Sequence, residues 1–382
     1  MSWLPEPSVT INGTSYNAQA LWSLNVSYGR TSIWQQARAG YATFSLINDN
    51  GTDFGINPNQ PVVIKIKNSS GVEKTVFTGK VSGVANKIVK SGSIKTIVIQ
   101  TVTAYSAMAQ MSRKIVGSTN YPKELDSDRI TRIFNEAGCT IETVDSGTYE
   151  LEARSASPSD AYSLAALYAT QAMGYIYETT DGKVGFANET RRLVDVRDNG
   201  YTSIPTDVVS WQNLQSEKSA SEVINDVVVN YKTGSSTFSD INSQLTYGVL
   251  AASFTTELSK SADAAAQAER WITLRSTPRT NLSAFMIRLD DDRLTSGLLD
   301  KLVTMKMGFA LQILGLPTAI KNTTYSGFVE GWTLSINRVQ ATISLTTSDS
   351  AFSVAPTRWR DVQPTLAWSA VSPTIQWYSY DN

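Results

Sequence analysis

The chain carries one β-patterned unit twice, and a duplicated unit constrains the fold more than any single motif in it. Around residue 80 the sequence reads Thr78-Gly79-Lys80-Val81-Ser82-Gly83; around residue 330 it reads Ser326-Gly327-Phe328-Val329-Glu330-Gly331. Each is Gly-x-Val-x-Gly after a small hydroxyl residue, and each runs into an alternating strand pattern. Upstream, Arg38 is followed six residues later by Phe44, and Arg279 six residues later by Phe285. Between these markers lie Pro61-Val62-Val63-Ile64-Lys65-Ile66 in one copy and Leu302-Val303-Thr304-Met305-Lys306-Met307 in the other, which align as equivalent strands. Gly79, Gly83, Gly327 and Gly331 are read as structural bends or bulges of two closing barrels, held by torsions that glycine tolerates best.

Composition removes most catalytic chemistry. There is no histidine in 382 residues, and so no usual acid–base group near neutral pH and no usual zinc ligand or triad base. The one cysteine, Cys139, makes no intramolecular disulfide and no metal site by itself. Its setting, Glu136-Ala137-Gly138-Cys139-Thr140-Ile141, reads as a helix end running into a strand. Glu, Asp, Ser, Lys and Tyr leave a lyase, a glycosidase or a Ser–Lys hydrolase open, with an enzyme disfavoured.

The charges nearly cancel, at 33 basic against 34 acidic residues, with only short basic pairs such as Arg191-Arg192. A nucleic-acid binder would show a basic excess or stripe; this chain is not expected to grip DNA, though it could let DNA pass. No segment has about 18 consecutive apolar residues, so no transmembrane helix is expected. The start, Met1 to Pro7, lacks the basic and apolar regions of a signal peptide. The sequons at Asn12-Gly13-Thr14 and Asn322-Thr323-Thr324 are read as accidents of a Ser- and Thr-rich β-protein.

Along the chain, residues 1–105 read as β. Leu24 to Gly29, Tyr41 to Ile47, Val62 to Lys67 and Ile94 to Val102 alternate, with turns at Asn48-Asp49-Asn50-Gly51 and Ser70-Gly71. Short strands between turns predict a small antiparallel barrel or sandwich. Residues 106–200 form an α/β insert. One helix opens at Asp126, buries Ile130, Ile133, Phe134 and Ala137, and stops at Gly138. A second starts at the Ser157-Pro158 cap, with Leu164, Leu167, Tyr168 and Ala172 as its apolar face. A hairpin follows, Tyr175 to Glu178 and Val184 to Phe186, turning at Asp181-Gly182. Residues 201–260 return to β with Asp226 to Tyr231 as a strand and Thr233 to Asn242 as a loop. Residues 261–350 hold a helix over Ser261 to Arg275, with Ala265, Ala268, Trp271 and Ile272 on one side, and then the second β-unit. Residues 351–382 form an aromatic tail. The fold class is therefore mainly β with an α/β insert: two related antiparallel β-barrel domains flanking an α+β domain.

No constellation singles out a reaction. Asp290-Asp291-Asp292 lacks the spacing and glycine loop of a magnesium or calcium site and reads as a solvated turn after a strand. No carboxylate pair stands out for glycoside hydrolysis. Ser69 with Lys74, and Ser106 to Lys114, miss Ser-x-x-Lys, and no Gly-x-Gly-x-x-Gly or Walker pattern occurs. Tyr175, Tyr177 and Phe186 form an aromatic hairpin that could stack sugars or single-stranded bases; without basic neighbours it is read as packing over the two helices. No cofactor and no metal are expected.

The order of parts resembles the phage tail hub family: baseplate hub or tail-associated minor tail proteins of tailed phages and related injection machines. Tyr28-Gly29-Arg30-Thr31, with Ala39 through Asp49, is similar to the first-barrel signature of siphophage minor tail proteins. Gly174-Tyr175-Ile176-Tyr177 with Asp181-Gly182-Lys183-Val184-Gly185-Phe186 resembles the insert hairpin. The helix at Ala264 to Leu274, then Arg279, Leu298-Leu299-Asp300 and Val329-Glu330-Gly331, resembles the second barrel. The resemblance covers about residues 20 to 350. It implies a homotrimeric structural virion protein at the tail tip, made in the host cytoplasm. Two barrels per chain would give a pseudo-sixfold face for hexameric distal tail or tail tube rings, and a threefold face for the central fibre or spike. Tape measure protein and DNA would pass through its channel. Trp359, Trp368, Trp377 and Tyr378 are candidate subunit-interface residues, since aromatics anchor protein contacts. The alternative is a tail-tip receptor or carbohydrate-binding protein, in which those aromatics form an open platform. The chain stops about thirty residues after the second unit, so any hydrolase or receptor binder is expected on a separate chain.

Overall fold

The structure, a computed structural model, describes residues 3, 5–17, 21–48, 53–90, 96–210, 214–321 and 323–354. The first unit holds β1 (Ser8–Ile11), β2 (Thr14–Tyr16), β3 (Leu21–Gly29), β4 (Arg38–Asn48), β5 (Pro61–Lys67), β6 (Glu73–Lys90) and β7 (Ile97–Tyr105). Period-two alternation makes these strands: in β4, Ala42, Phe44 and Leu46 are fully buried while Thr43 and Ser45 between them are not.

The insert contains α1 (Ala107–Met111), β8 (Ile115–Val116), β9 (Glu124–Leu125), α2 (Asp126–Glu136), β10 (Ile141–Val144), β11 (Glu150–Leu151), β12 (Ser159–Asp160), α3 (Ala161–Gln171), β13 (Tyr175–Glu178), β14 (Val184–Ala187) and α4 (Arg191–Asn199). Helices α2 and α3 pack on the sheet β10-β14-β13. As expected, α2 buries Ile130, Ile133 and Phe134, and Gly138 follows it at φ +67°. The second helix starts later than Ser157-Pro158. Asp160 caps α3 by accepting from Ser163 N, because Ser159 and Asp160 are first used to pair with β8. Leu167, expected on the apolar face, is exposed.

The remainder comprises β15 (Thr202–Pro205), β16 (Val209–Ser210), β17 (Ser216–Lys218), β18 (Asp226–Tyr231), β19 (Gly234–Ser239), α5 (Ile241–Tyr247), β20 (Ala251–Thr255), α6 (Ser261–Arg275), β21 (Thr280–Leu282), β22 (Phe285–Arg288), α7 (Ser296–Val303), β23 (Ala310–Leu314), α8 (Thr318–Lys321), β24 (Thr324–Asn337) and β25 (Ala341–Asp349). The expected loop at Thr233 to Asn242 is instead β19, whose backbone completes the ladder of β18. Helix α6 packs on β18 and β19 and buries Ala264 in place of the expected Ala265.

The duplication holds at residue level. The strand neighbours β4-β7-β6-β5 recur as β22-β25-β24-β23, all antiparallel. In the first unit Val81 faces Ala104, the register slips, and Gly83 faces Thr103. In the second Val329 faces Thr347, the register slips, and Gly331 faces Thr346. One step further, Phe44 faces Val102 and Phe285 faces Leu345. The bulge therefore leaves Ser82 and Glu330 as the extra residues at equivalent places.

The strand before the bulge needs a correction. Val81 N donates to Gln60 O and Asn59 N to Val81 O; Val329 N donates to Phe309 O and Gly308 N to Val329 O. Asn59 and Gly308 share a left-handed backbone, φ +69° and +86°. Pro61 is therefore matched by Ala310, not by Leu302. Leu302 and Val303 end α7, where Leu298, Leu299, Leu302 and Val303 bury one face and Thr295 caps Leu298 N.

The outer half of β24 pairs with β3, from Gly331 opposite Gly29 to Asn337 opposite Ser23. This joins both units into one 13-stranded sheet. The sequence predicts two separately closed barrels; among the described residues neither unit closes on itself, because the long β24 pairs its second half with β3 of the neighbouring unit.

Candidate functional site

The bulge at Glu330 builds the junction of the three parts. Its carboxylate is 1 % exposed. Arg30 Nε, at the end of β3, donates to Oε2 at 2.6 Å. Arg192, from α4 of the insert, donates through Nη1 to Oε1 at 2.8 Å and through Nη2 to Oε2 at 2.9 Å. Ser348 Oγ on β25 also donates to Oε1. The Tyr175 ring lies 5.3 Å from the Arg30 guanidinium and 4.9 Å from that of Arg192. The aromatic hairpin is thus buried packing, and Tyr175 covers the charges that tie first unit, insert and second unit together.

Burial alone pushes the Glu330 pKa up, but Arg192 and Arg30 outweigh it and hold it down to about 2. A depressed carboxylate adds stability above its ordinary value of 4.5 and loses it as pH falls through about 2. Lowering the pH across that window is expected to cost the native chain about 3 kcal/mol through this group. Glu330→Gln should show a much flatter urea stability between pH 5 and pH 2.5; equal losses in both proteins would remove Glu330 as the cause.

A second buried carboxylate anchors the insert to the first unit. Glu178 on β13 accepts from Gly40 N, from Ser106 Oγ at 2.6 Å and from Met108 N at 3.0 Å. Burial raises its pKa, against those three bonds. Beside the junction lies a cavity of about 330 Å³ lined by Trp34, Trp271, Arg275 and Phe352 among others. Phe254, Trp271 and Trp34 stack in series, with centroids 4.4 Å and 5.8 Å apart. The Arg275 guanidinium lies 4.3 Å from the Trp34 ring and 4.0 Å from that of Phe352. Burial draws Arg275 down to about 9. Phe254 and Trp271 are half-buried in this stack, and Trp34 at its end stays exposed beside Arg275.

The four repeat glycines all lie on β6 and β24. None has a positive φ, so the expected need for glycine torsions is replaced at Gly79, Gly327 and Gly331 by close approach. A Cβ at Gly79 would strike Tyr105 O and the Phe77 ring; one at Gly327 would lie 2.6 Å from Ser348 O and 2.8 Å from the Tyr325 ring. Phe77 and Tyr325 stand two residues before their glycines, so the two sites are copies. At Gly331 the added atom would lie 2.7 Å from Arg30 O, whereas at Gly83 it would meet nothing within 4 Å.

Asp290 and Asp291, in the turn after β22, are paired with Arg288 and Arg293. Among the described residues no group of three His, Cys, Asp or Glu side chains could hold a metal ion, and no helix is long and apolar enough to cross a membrane. Cys139 is half-buried, its thiol pushed up by burial. Trp359, Trp368, Trp377 and Tyr378 lie outside the described residues.

No protein-family model and no curated protein sequence matches the chain. Its fold is shared with solved phage tail proteins. The 43 kDa tail protein of prophage MuSo2 from Shewanella oneidensis superposes with a TM-score of 0.62 at 11 % identity, covering 92 % of this chain and 99 % of that one. A tail protein from Neisseria meningitidis gives 0.63 at 10 % identity, over 92 % and 98 %. Prophage tail protein gp18 from Listeria monocytogenes gives 0.55 at 9 % identity, over 90 % and 95 %.

Proposed function

We propose that the chain is a structural protein of a phage-type tail, without catalytic activity, acting as the homotrimeric hub at the tail tip or baseplate. In this reading each β-unit forms one barrel-like wall segment around the channel for DNA and tape measure protein. Six such segments from three chains face the hexameric rings of the distal tail or tail tube protein. The other face, with threefold symmetry, takes the central fibre or spike.

The observation that carries the reading is the two units sharing strand neighbours, bulge and register within one sheet. Near-equivalent units about 60° apart let a threefold ring repeat the contacts of a sixfold one, and a heterologous contact closes only when its rotation matches. The likeness to three tail proteins, each over 90 % or more of this chain, supports a tail role. The receptor- or carbohydrate-binding alternative finds less support. Its platform would be built from Trp359, Trp368, Trp377 and Tyr378, which lie outside the described residues; elsewhere Tyr175, Tyr177 and Phe186 are buried and offer no such platform.

Light scattering across a concentration series tests the proposal. The expected mass is about three times 41.7 kDa, with ring-shaped particles in electron micrographs. A stable dimer would overturn the threefold reading.

A further inference from the structure

The two units differ at one edge, and the difference identifies what belongs there. In the second unit the outer half of β24 is covered by β3. In the first unit, the equivalent half of β6, residues 83–90, pairs with β7 on one side and with no described strand on the other. The effect shows position by position. Ile336 is 4 % exposed, whereas its counterpart Ile88 is 67 % exposed. A Cβ on Gly331 would collide with the backbone of Tyr28 and Arg30, but a Cβ on Gly83 has open space. Thr333 Oγ1 lies 2.8 Å from Ser27 Oγ, whereas Ala85 in its place is exposed. A long unpaired strand edge with exposed apolar residues is a template for another strand.

The missing strand is encoded in the same chain. β3 runs antiparallel to β4; at the equivalent place β16 and β17 run antiparallel to β22 and β21. Ser27 faces Tyr41, three residues before Phe44, and Ser216 faces Leu282, three residues before Phe285. Ser216 is therefore the counterpart of Ser27. β16 ends the sheet path, seven strands away from β6, and no described strand covers its outer edge. Among the described residues the two edges do not pair with each other within the chain.

We propose that a second copy of this chain adds the outer edge of β16 and β17, Val209–Ser210 and Ser216–Lys218, to the outer half of β6. The strands run antiparallel with Ala85 opposite Ser216, repeating between chains the β24–β3 pairing made within each chain. The contact is head-to-tail, so it propagates until a ring closes. It rests on the hub reading only for the number of copies in that ring.

The test is a cysteine pair, Ala85→Cys with Ser216→Cys, oxidised mildly and run without reductant beside light scattering. Facing residues on antiparallel strands suit a disulfide. A linked ladder ending in a closed oligomer is expected from the double variant. None is expected from either single variant or from Ala85→Cys with Lys218→Cys, all of which retain Cys139. Gly83→Val supplies a second readout: a folded chain with an unchanged urea midpoint, whose association weakens at least tenfold. A trimer that forms without the link and ignores Gly83→Val overturns the edge pairing and leaves the hub reading standing. A linked ring of some other copy number keeps the pairing and overturns the hub reading. A chain that neither associates nor links, even near millimolar concentration, overturns the pairing.

Discussion

Glu330→Ala is expected to destabilise the chain by about 3–5 kcal/mol, the usual cost of removing one partner from a buried ion pair. The carboxylate serves two guanidiniums at once, and Arg30 and Arg192 are themselves about as buried as it is. After truncation Arg192 keeps the Ser353 hydroxyl and Arg30 keeps Gln35 O, but neither keeps a counter-charge. Glu330→Gln, which retains acceptor and shape, should lose less. Replacing all three residues by apolar side chains of similar volume should recover much of the loss, because the pairing mainly offsets its own desolvation. Urea unfolding of the four proteins at pH 7 measures this. A loss below about 1 kcal/mol for Glu330→Ala would mean that both arginines reach water in the variant, and that the junction is not the closed contact its geometry indicates.

The junction's residues come from all three parts of the chain, so its loss should be felt as loosened coupling between them. Glu178 gives the insert a separate hold on the first unit through Gly40, Ser106 and Met108. The insert should therefore detach from the second unit before the first when Glu330 is removed. Hydrogen exchange would report this as earlier opening around α4 than around β13.

The repeat was legible because strand register is a short-range property: Phe44 and Val81, with Phe285 and Val329, mark the same ladder positions in each unit. Leu302 to Met307 misled because its alternation imitates β5, while the helical spacing of Leu298, Leu299, Leu302 and Val303 was the stronger signal, supported by the Thr295 cap. Thr233 to Asn242 has loop composition, yet the free edge of β18 makes a strand of most of it; pairing overrides propensity there. The junction was not readable at all. Arg30 and Glu330 stand 300 residues apart, and Arg192 stands 138 from Glu330, so only the folded sheet brings them together. One local sign existed. Glu330 is a charge in the apolar run Phe328-Val329-Glu330-Gly331-Trp332, where the first copy has a serine, and a lone charge in a buried strand needs a partner.

Valine at Gly79, Gly327 or Gly331 is expected to cost at least about 3 kcal/mol each, while valine at Gly83 should leave the isolated chain's stability within about 0.5 kcal/mol. The asymmetry follows from what each added carbon meets. At Gly79 and Gly327 it meets an aromatic ring and the carbonyl of the crossing strand, Tyr105 or Ser348; at Gly331 it meets the backbone of β3. Backbone cannot swing aside as a side-chain end can, so relief requires breaking the β6–β7, β24–β25 or β24–β3 ladder. Alanine carries the same colliding atom and should already show most of the loss. If torsion were the reason for glycine, all four positions would resemble one another, since none has a positive φ. If close approach is the reason, three fail and Gly83 passes, because no described strand of the chain pairs with the outer half of β6. Thermal and urea unfolding of the four valine variants at low protein concentration distinguishes the two accounts. An equal loss at Gly83 would show that its surroundings in the single chain are already closed, which would remove the open edge on which assembly is argued.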